Sequence, residues 1–224
     1  MKSVDNISAK QWTELTDIGY TITSIELSKE HLSTIHSDLK KWTSGTSDGR
    51  AVSVGRIHYE MVDNKIFVDS EQVRCLLSTF EPYCRKYFGP RYSDIRLSTV
   101  QLVVSSPGSY DQCWHADNAD RGLTFVIPLV DITKENGTTQ LIAGSHKLKS
   151  VRNLGIKSPL LSRTDLLIMD ARLLHRGSRN VCTNVRPILV FRYDDVKTPA
   201  PGSGYLGALA RDAIGSILFS FFSQ

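Results

Sequence analysis

Apolar positions recur in two rhythms, and the rhythm changes along the chain. Near the start, Trp12, Leu15 and Ile18 follow one another at helical spacing over residues 8–18, and Gly19 ends that run. Tyr20 to Ile25 then alternates as a strand does. Ser28 has the chemistry of a helix cap, Glu30 sits in the first turn behind it, and Leu32, Ile35, Leu39 and Trp42 continue at helical spacing. Thr43 to Arg50 reads as a polar loop containing glycine. Arg56–Val62 and Lys65–Val68 read as two strands around the turn pair Asp63-Asn64. Val73, Leu76, Leu77, Phe80, Tyr83, Tyr87 and Phe88 mark the buried side of a helix over 70–88, which Gly89-Pro90 stops.

From Arg96 the period shortens. Arg96–Ser105 alternates as a core strand, with the polar Gln101 between Val100 and Leu102. Ser106–Tyr110 is a loop, Leu123–Val130 a strand and Asp131–Gly137 a turn. Lys147–Pro159 is a basic loop. Leu166–His175 predicts a buried strand, a turn and a second strand. After the turn-rich Ser178–Asn184, Val185–Tyr193 predicts another strand. Pro199–Gly204 breaks the pattern, and Tyr205–Phe222 is apolar with Arg211 and Asp212 inside it. A membrane-spanning helix needs about 20 predominantly apolar residues, so this tail is too short and too charged. It is expected to cover the rest of the fold or to join copies of the chain as a homo-oligomer.

Composition narrows the class. A chain of 224 residues, 41% hydrophobic and 22% charged, fits one globular domain over 1–224 with a sizeable core. The net charge of +4 comes without a long basic run. Nucleic acid is therefore not implied, while a small anionic substrate is suited. Cys75, Cys84, Cys113 and Cys182 show neither metal-finger nor disulfide-framework spacing and read as reduced thiols. Met1–Asn6 lacks the apolar run of a signal peptide, and no Ser-Lys-Leu ends the chain. These features predict a cytoplasmic protein without a transmembrane segment.

The candidate chemistry sits in three short stretches. His115 and Asp117 are two apart, so on an extended segment both side chains reach one face. A third ligand has to come from elsewhere. His175 is preferred to His146, which Gly144-Ser145 puts in a turn, although Lys157 follows His146 at the offset by which Arg186 follows His175. Two histidines and a carboxylate form the facial set of non-haem Fe(II) sites. Zinc also takes three such ligands, so the trio alone leaves the metal open. Arg186 adds a second constraint. If the strands carrying His175 and Arg186 form a hairpin, the two side chains share a face. A buried guanidinium needs a partner, and its planar fork suits a carboxylate. Arg192 shares that face and reads as a member of an ion pair, while Gln101 is a candidate for cosubstrate contact.

With His115-Ala116-Asp117, His175 and Arg186 stands the stretch Asn136-Gly137…Ala143-Gly144-Ser145-His146. Together these resemble the phytanoyl-CoA dioxygenase (PhyH) family of Fe(II)/2-oxoglutarate oxygenases over about 19–193, with Ala143 where the family usually has proline. The resemblance implies a mainly β fold with flanking helices. It would be a double-stranded β-helix (jelly-roll, cupin-like) barrel with its core at about 95–195, supported by N-terminal helices. It implies Fe(II) on His115, Asp117 and His175, with 2-oxoglutarate and O2 as cosubstrates. Arg186 would hold the far carboxylate. It implies oxidation of a C–H bond in a small organic or lipid-like substrate, with succinate and CO2 released. Halogenating relatives lack the carboxylate that Asp117 supplies here, which favours hydroxylation. Two other readings stand beside this one: a protein side-chain hydroxylase on the same fold, and a barrel that binds an anion or a partner without turnover.

Overall fold

The computed structural model describes residues 7–25, 34–35, 49–147 and 155–196. Its larger sheet includes strand β5 (Gly122–Pro128), in which every residue is buried. A strand covered on both faces is apolar along nearly its whole length, and here Thr124 is the one polar side chain. Around it lie β1 (Tyr20–Ser24), β2 (Arg50–Ser53), β3 (Arg56–Glu60), β4 (Ile95–Ser105), β8 (Asp165–Asp170) and β10 (Arg186–Asp195), in the order β1-β8-β5-β10-β4-β3-β2. Every neighbouring pair is antiparallel.

Alternation gives this sheet two faces. Phe125, Ile127, Leu189 and Phe191 belong to a core shared with one long helix, α3 (Glu71–Phe88). Phe80 of that helix stacks on Phe125 with ring centroids 4.3 Å apart and meets Phe191 at 5.3 Å. Ser70 caps the helix by accepting from the Val73 N–H, and Gly89, at φ +57°, ends it before a 3-10 turn runs to Asp94. Helix α1 (Ala9–Asp17) opens with a reciprocal Ser8–Gln11 capping box. On the sheet's other face, Val126, Leu167 and Met169 pack with Leu141 of a second sheet. That sheet holds β6 (Thr139–Ile142), β7 (Ile156–Lys157) and β9 (His175–Gly177) in the order β7-β6-β9. The two sheets face each other as the walls of a double-stranded β-helix barrel, with helices outside the larger wall.

Most predicted elements stand where the pattern put them, and the exceptions have physical causes. Lys65–Val68 is a helical turn, α2, and not a strand, because the Asn64 side chain accepts from the Phe67 N–H and caps it. Its four residues are too few for periodicity to tell a strand from a helix. Strand β3 instead pairs with β2, which occupies the end of the predicted polar loop, and Gly55 turns the chain at φ +72°. His175 and Arg186 do not form a hairpin. Their strands lie in opposite sheets, and residues 178–185 cross between them. Asn180, fully buried, holds that crossing by donating to the carbonyls of Ser105 and Asn184. Of the predicted helix through Leu32 and Trp42, only Thr34-Ile35 falls among the described residues, where it is helical. The apolar tail from Tyr205 lies outside them. Among the described residues no helix is long and apolar enough to cross a membrane.

His146, the rival ligand, is a strut between α1 and the loop after β6. Its Nε2 lies 3.1 Å from the Thr16 carbonyl, and Gly144 N–H donates to Ile18 O at 2.8 Å. A Cβ on Gly19 would come within 2.5 Å of the His146 ring. Burial lowers the pKa of this imidazole, against the pull of the Thr16 carbonyl. Its neutral form is therefore the one that folds. Its stability contribution is intact above the unfolded value of about 6.5 and is lost as pH falls through the lower folded value. In chemical denaturation as pH falls below about 6.5, wild type should lose stability more steeply than His146→Gln. Phe80→Ala, which empties the stack on Phe125, should cost about 3–5 kcal/mol, read as a lower denaturation midpoint at unchanged slope.

Candidate metal centre

The segment before β5 is pinned to β9 by backbone. Gln112 N–H donates to Gly177 O at 2.9 Å, and His115 and His175 exchange reciprocal N–H to carbonyl bonds of 3.0 and 2.8 Å. Only His115 forms a bridge here, so the segment is extended without being a full strand. Its alternation still holds. Trp114 and Ala116 pack with Ile142 and Leu174, and His115 and Asp117 turn the other way.

One ligand atom from each of His115, Asp117 and His175 lies within 4.8 Å of the others. The two imidazoles are held alike. Nδ1 of His115 sits 2.9 Å from Cys113 O, and Nδ1 of His175 sits 2.9 Å from Leu173 O. A carbonyl only accepts, so each Nδ1 carries the proton and each Nε2 offers a lone pair. His175 Nε2 lies 3.7 Å from Asp117 Oδ1. The other carboxylate oxygen, Oδ2, accepts from Thr124 Oγ1 at 2.7 Å. Burial alone would raise the Asp117 pKa, but His175, Arg192, His115 and the Thr124 hydroxyl together hold it well below the usual carboxylate range. The carboxylate is ionised and oriented before any ion arrives.

Arg192 stands behind it. Its Nη1 is 3.9 Å from Asp117 Oδ1, its Nε donates to Asp194 at 2.8 Å and its Nη2 to Thr99 Oγ1 at 2.8 Å. This is the ion pair expected from its place on the strand. Asp194 also accepts from Ser98 and Asn118, which ties the end of β10 to the metal segment.

Arg186 reaches the cavity from the larger sheet, opposite Ser105 of β4. It is 3% exposed, and burial pulls its pKa down to about 10. Nη2 donates to Ser105 Oγ at 2.9 Å, and Nη1 to the carbonyls of Asn136 and Ser178, each at 3.2 Å. Its buried Nε has no hydrogen-bond acceptor, and no carboxylate among the described residues pairs with the guanidinium. Gln101 lies on the same wall, opposite Val190, and donates to Glu60 Oε2 at 2.9 Å. His58 shares that wall one pair further along, opposite Val103. His146 stays outside the cluster, and Lys157 is exposed on β7.

Three polar residues escaped the sequence reading: Thr124, Ser105 and Arg56. Thr124 left a signal, as the one polar side chain within the apolar run of β5, while Arg56 and Ser105 lie in strands that carry other polar residues and left none. Their roles needed the register to be known.

The chain is similar to known proteins in sequence and in fold. Residues 109–188 match the family model of phytanoyl-CoA dioxygenase (PhyH). The chain is 29% identical over 113 residues to dioxygenase hkm4 of Aspergillus hancockii, covering 43% of this chain and 37% of that protein. It is 27% identical over 122 residues to dioxygenase easH of Epichloe festucae var. lolii, covering 46% of this chain and 66% of that protein. It thus spans less than two thirds of either relative. In fold it is similar to SnoN, a non-haem α-ketoglutarate-dependent epimerase from nogalamycin biosynthesis, with a TM-score of 0.70 and 17% identity over 88% of this chain and 87% of that one. SnoN has also been solved with Fe3+, α-ketoglutarate and nogalamycin RO bound.

The Thr124 hydroxyl should matter to the ion itself. Thr124→Val should raise the dissociation constant for a divalent transition metal about 10- to 100-fold at unchanged far-UV circular dichroism, as measured by titration with Co(II).

Proposed function

We propose that the chain, whose residues 109–188 match the PhyH family model, is an Fe(II)- and 2-oxoglutarate-dependent oxygenase of that kind, a single oxygenase domain over 1–224 with its barrel core at about 95–195. The observation that carries this is the meeting of His115, Asp117 and His175, their ligand atoms within 4.8 Å of one another and both Nδ1 atoms held by backbone carbonyls. Two imidazoles and one carboxylate suit Fe(II) and leave sites for other ligands. The buried Arg186, with a spare donor and no carboxylate of its own, fits the far carboxylate of 2-oxoglutarate.

Bound Fe(II) and 2-oxoglutarate supply the activation of O2 that oxidises a substrate C–H bond, with succinate and CO2 released. The chain's residues do the rest by placement. His115 and His175 hold their rings through the carbonyls two residues before each. Thr124 and Arg192 keep Asp117 charged and aimed. Ser105 and the carbonyls of Asn136 and Ser178 fix the Arg186 fork. Val126, Ile188 and Val190 line the wall with apolar surface that excludes water, and Gln101 adds an amide to it beside the cosubstrate. This wall suits a small organic or lipid-like substrate, and the carboxylate of Asp117 favours hydroxylation.

Protein supplied with Fe(II), 2-oxoglutarate and O2 should form succinate slowly without added substrate, and Asp117→Ala should abolish it. Anaerobic addition of 2-oxoglutarate to the Fe(II) protein should give a visible charge-transfer band. Absence of both signals in wild type overturns the assignment.

A further inference from the structure

A second guanidinium lies against Arg186. Arg56 of β3 is opposite Ser105, and Ser105 is opposite Arg186, so the three side chains share the inner face of adjacent strands. Arg56 is 1% exposed. Its Nε donates to the Ser105 hydroxyl at 2.9 Å, its Nη1 to Gly177 O at 3.1 Å and its Nη2 to Ser178 O at 3.0 Å. Arg186 uses the same hydroxyl and the same Ser178 carbonyl. Two buried cations thus share two neutral acceptors.

Like charges this close repel strongly away from water. Burial first, and the Arg186 charge second, pull Arg56 down to about 9. Asp111 offsets this only at a distance, since its carboxylate accepts from the Arg179 N–H at 2.6 Å and pairs with Arg176 at 3.3 Å. No carboxylate among the described residues pairs with either Arg56 or Arg186. A guanidinium carries five N–H donors. Arg56 has donors left over, and the Nε of Arg186 is buried without an acceptor. Room has been kept as well: a Cβ on Gly177 would come within 2.9 Å of Arg56 Nη1.

We propose that Arg56 and Arg186 together seat the far carboxylate of the cosubstrate, with Ser105 between them as a shared hinge of the two forks. The inference rests on the function proposed above and adds to it a binding residue on β3. One carboxylate facing two guanidiniums neutralises a repulsion that the distant Asp111 offsets only in part, so part of the cosubstrate's affinity comes from that relief.

The test is the affinity of the anaerobic Fe(II) protein for 2-oxoglutarate, measured by calorimetry in wild type, Arg56→Gln and Arg56→Lys. Removing one partner of a buried, hydrogen-bonded charge pair should weaken binding about 30-fold or more. Arg56→Gln should show that loss at unchanged Fe(II) affinity and circular dichroism, and Arg56→Lys should recover part of it. Arg56→Gln protein that is folded and binds 2-oxoglutarate within twofold of wild type overturns the inference and leaves the oxygenase assignment standing. Wild type that binds no 2-oxoglutarate overturns both. If Arg56→Gln does not fold, a crystal structure of wild type with Zn(II) and 2-oxoglutarate decides. A carboxylate oxygen within hydrogen-bond distance of both guanidiniums is the expected result, and one held by Arg186 alone overturns it.

Discussion

The reciprocal pair of backbone hydrogen bonds between His115 and His175 fixes where the two candidate histidines meet. A side chain can be placed only as well as the backbone that carries it, and these two residues come from segments far apart in the chain. Bridging them backbone to backbone sets their rings at a centroid distance of 4.4 Å before any ion contributes. Each ring is then turned by the carbonyl two residues before it, which settles the tautomer locally. The cost of bringing the two candidate ligands together is therefore met by sheet formation, which is what preorganisation means for such a site.

Around that bridge the barrel separates two tasks by face. The outer face of the larger sheet is aromatic and aliphatic and closes against α3, with Phe80, Phe125 and Phe191 in contact. The inner face carries polar groups in rows set by register. Thr124, Arg192 and Thr99 lie level with Asp117, and Arg186, Ser105 and Arg56 lie at the far end. Between them runs an apolar stretch through Val126 and Val190. Charge at both ends and hydrocarbon between suit a ligand that is ionic where it is anchored and is shielded from water where it reacts.

Much of this was legible in the sequence. The period of apolar residues located α3, β4, β5, β8 and β10, because long elements repeat their signal several times. The two-residue spacing of His115 and Asp117 and the strand-turn-strand reading that ends at His175 needed only local geometry. What failed needed non-local information. Lys65–Val68 is too short for a period and was decided by one cap from Asn64. The expected hairpin between His175 and Arg186 was wrong because adjacency in sequence does not say which sheet a strand joins. The arginine still reaches the loop after His175, across the barrel interior, where Nη1 meets Ser178 O. Arg56 looked like an ordinary strand residue, and only its register with Ser105 shows that it is inside.

The two guanidiniums also account for sequence features that look unrelated to them. In Asn136-Gly137 the asparagine carbonyl accepts from Arg186, and a Cβ on the glycine would come within 2.5 Å of Arg186 Nη1. Gly137 is at φ +89° as well, so both the backbone and the neighbouring cation exclude a side chain there. Gly177, two residues after the metal-facing His175, leaves the space that Arg56 fills. A motif read along the chain as Asn-Gly, and another as His-Arg-Gly, are in three dimensions the floor of one cationic recess. The glycines are needed because the arginines are large, and the arginines stay buried because backbone carbonyls and the Ser105 hydroxyl, not carboxylates, hold them.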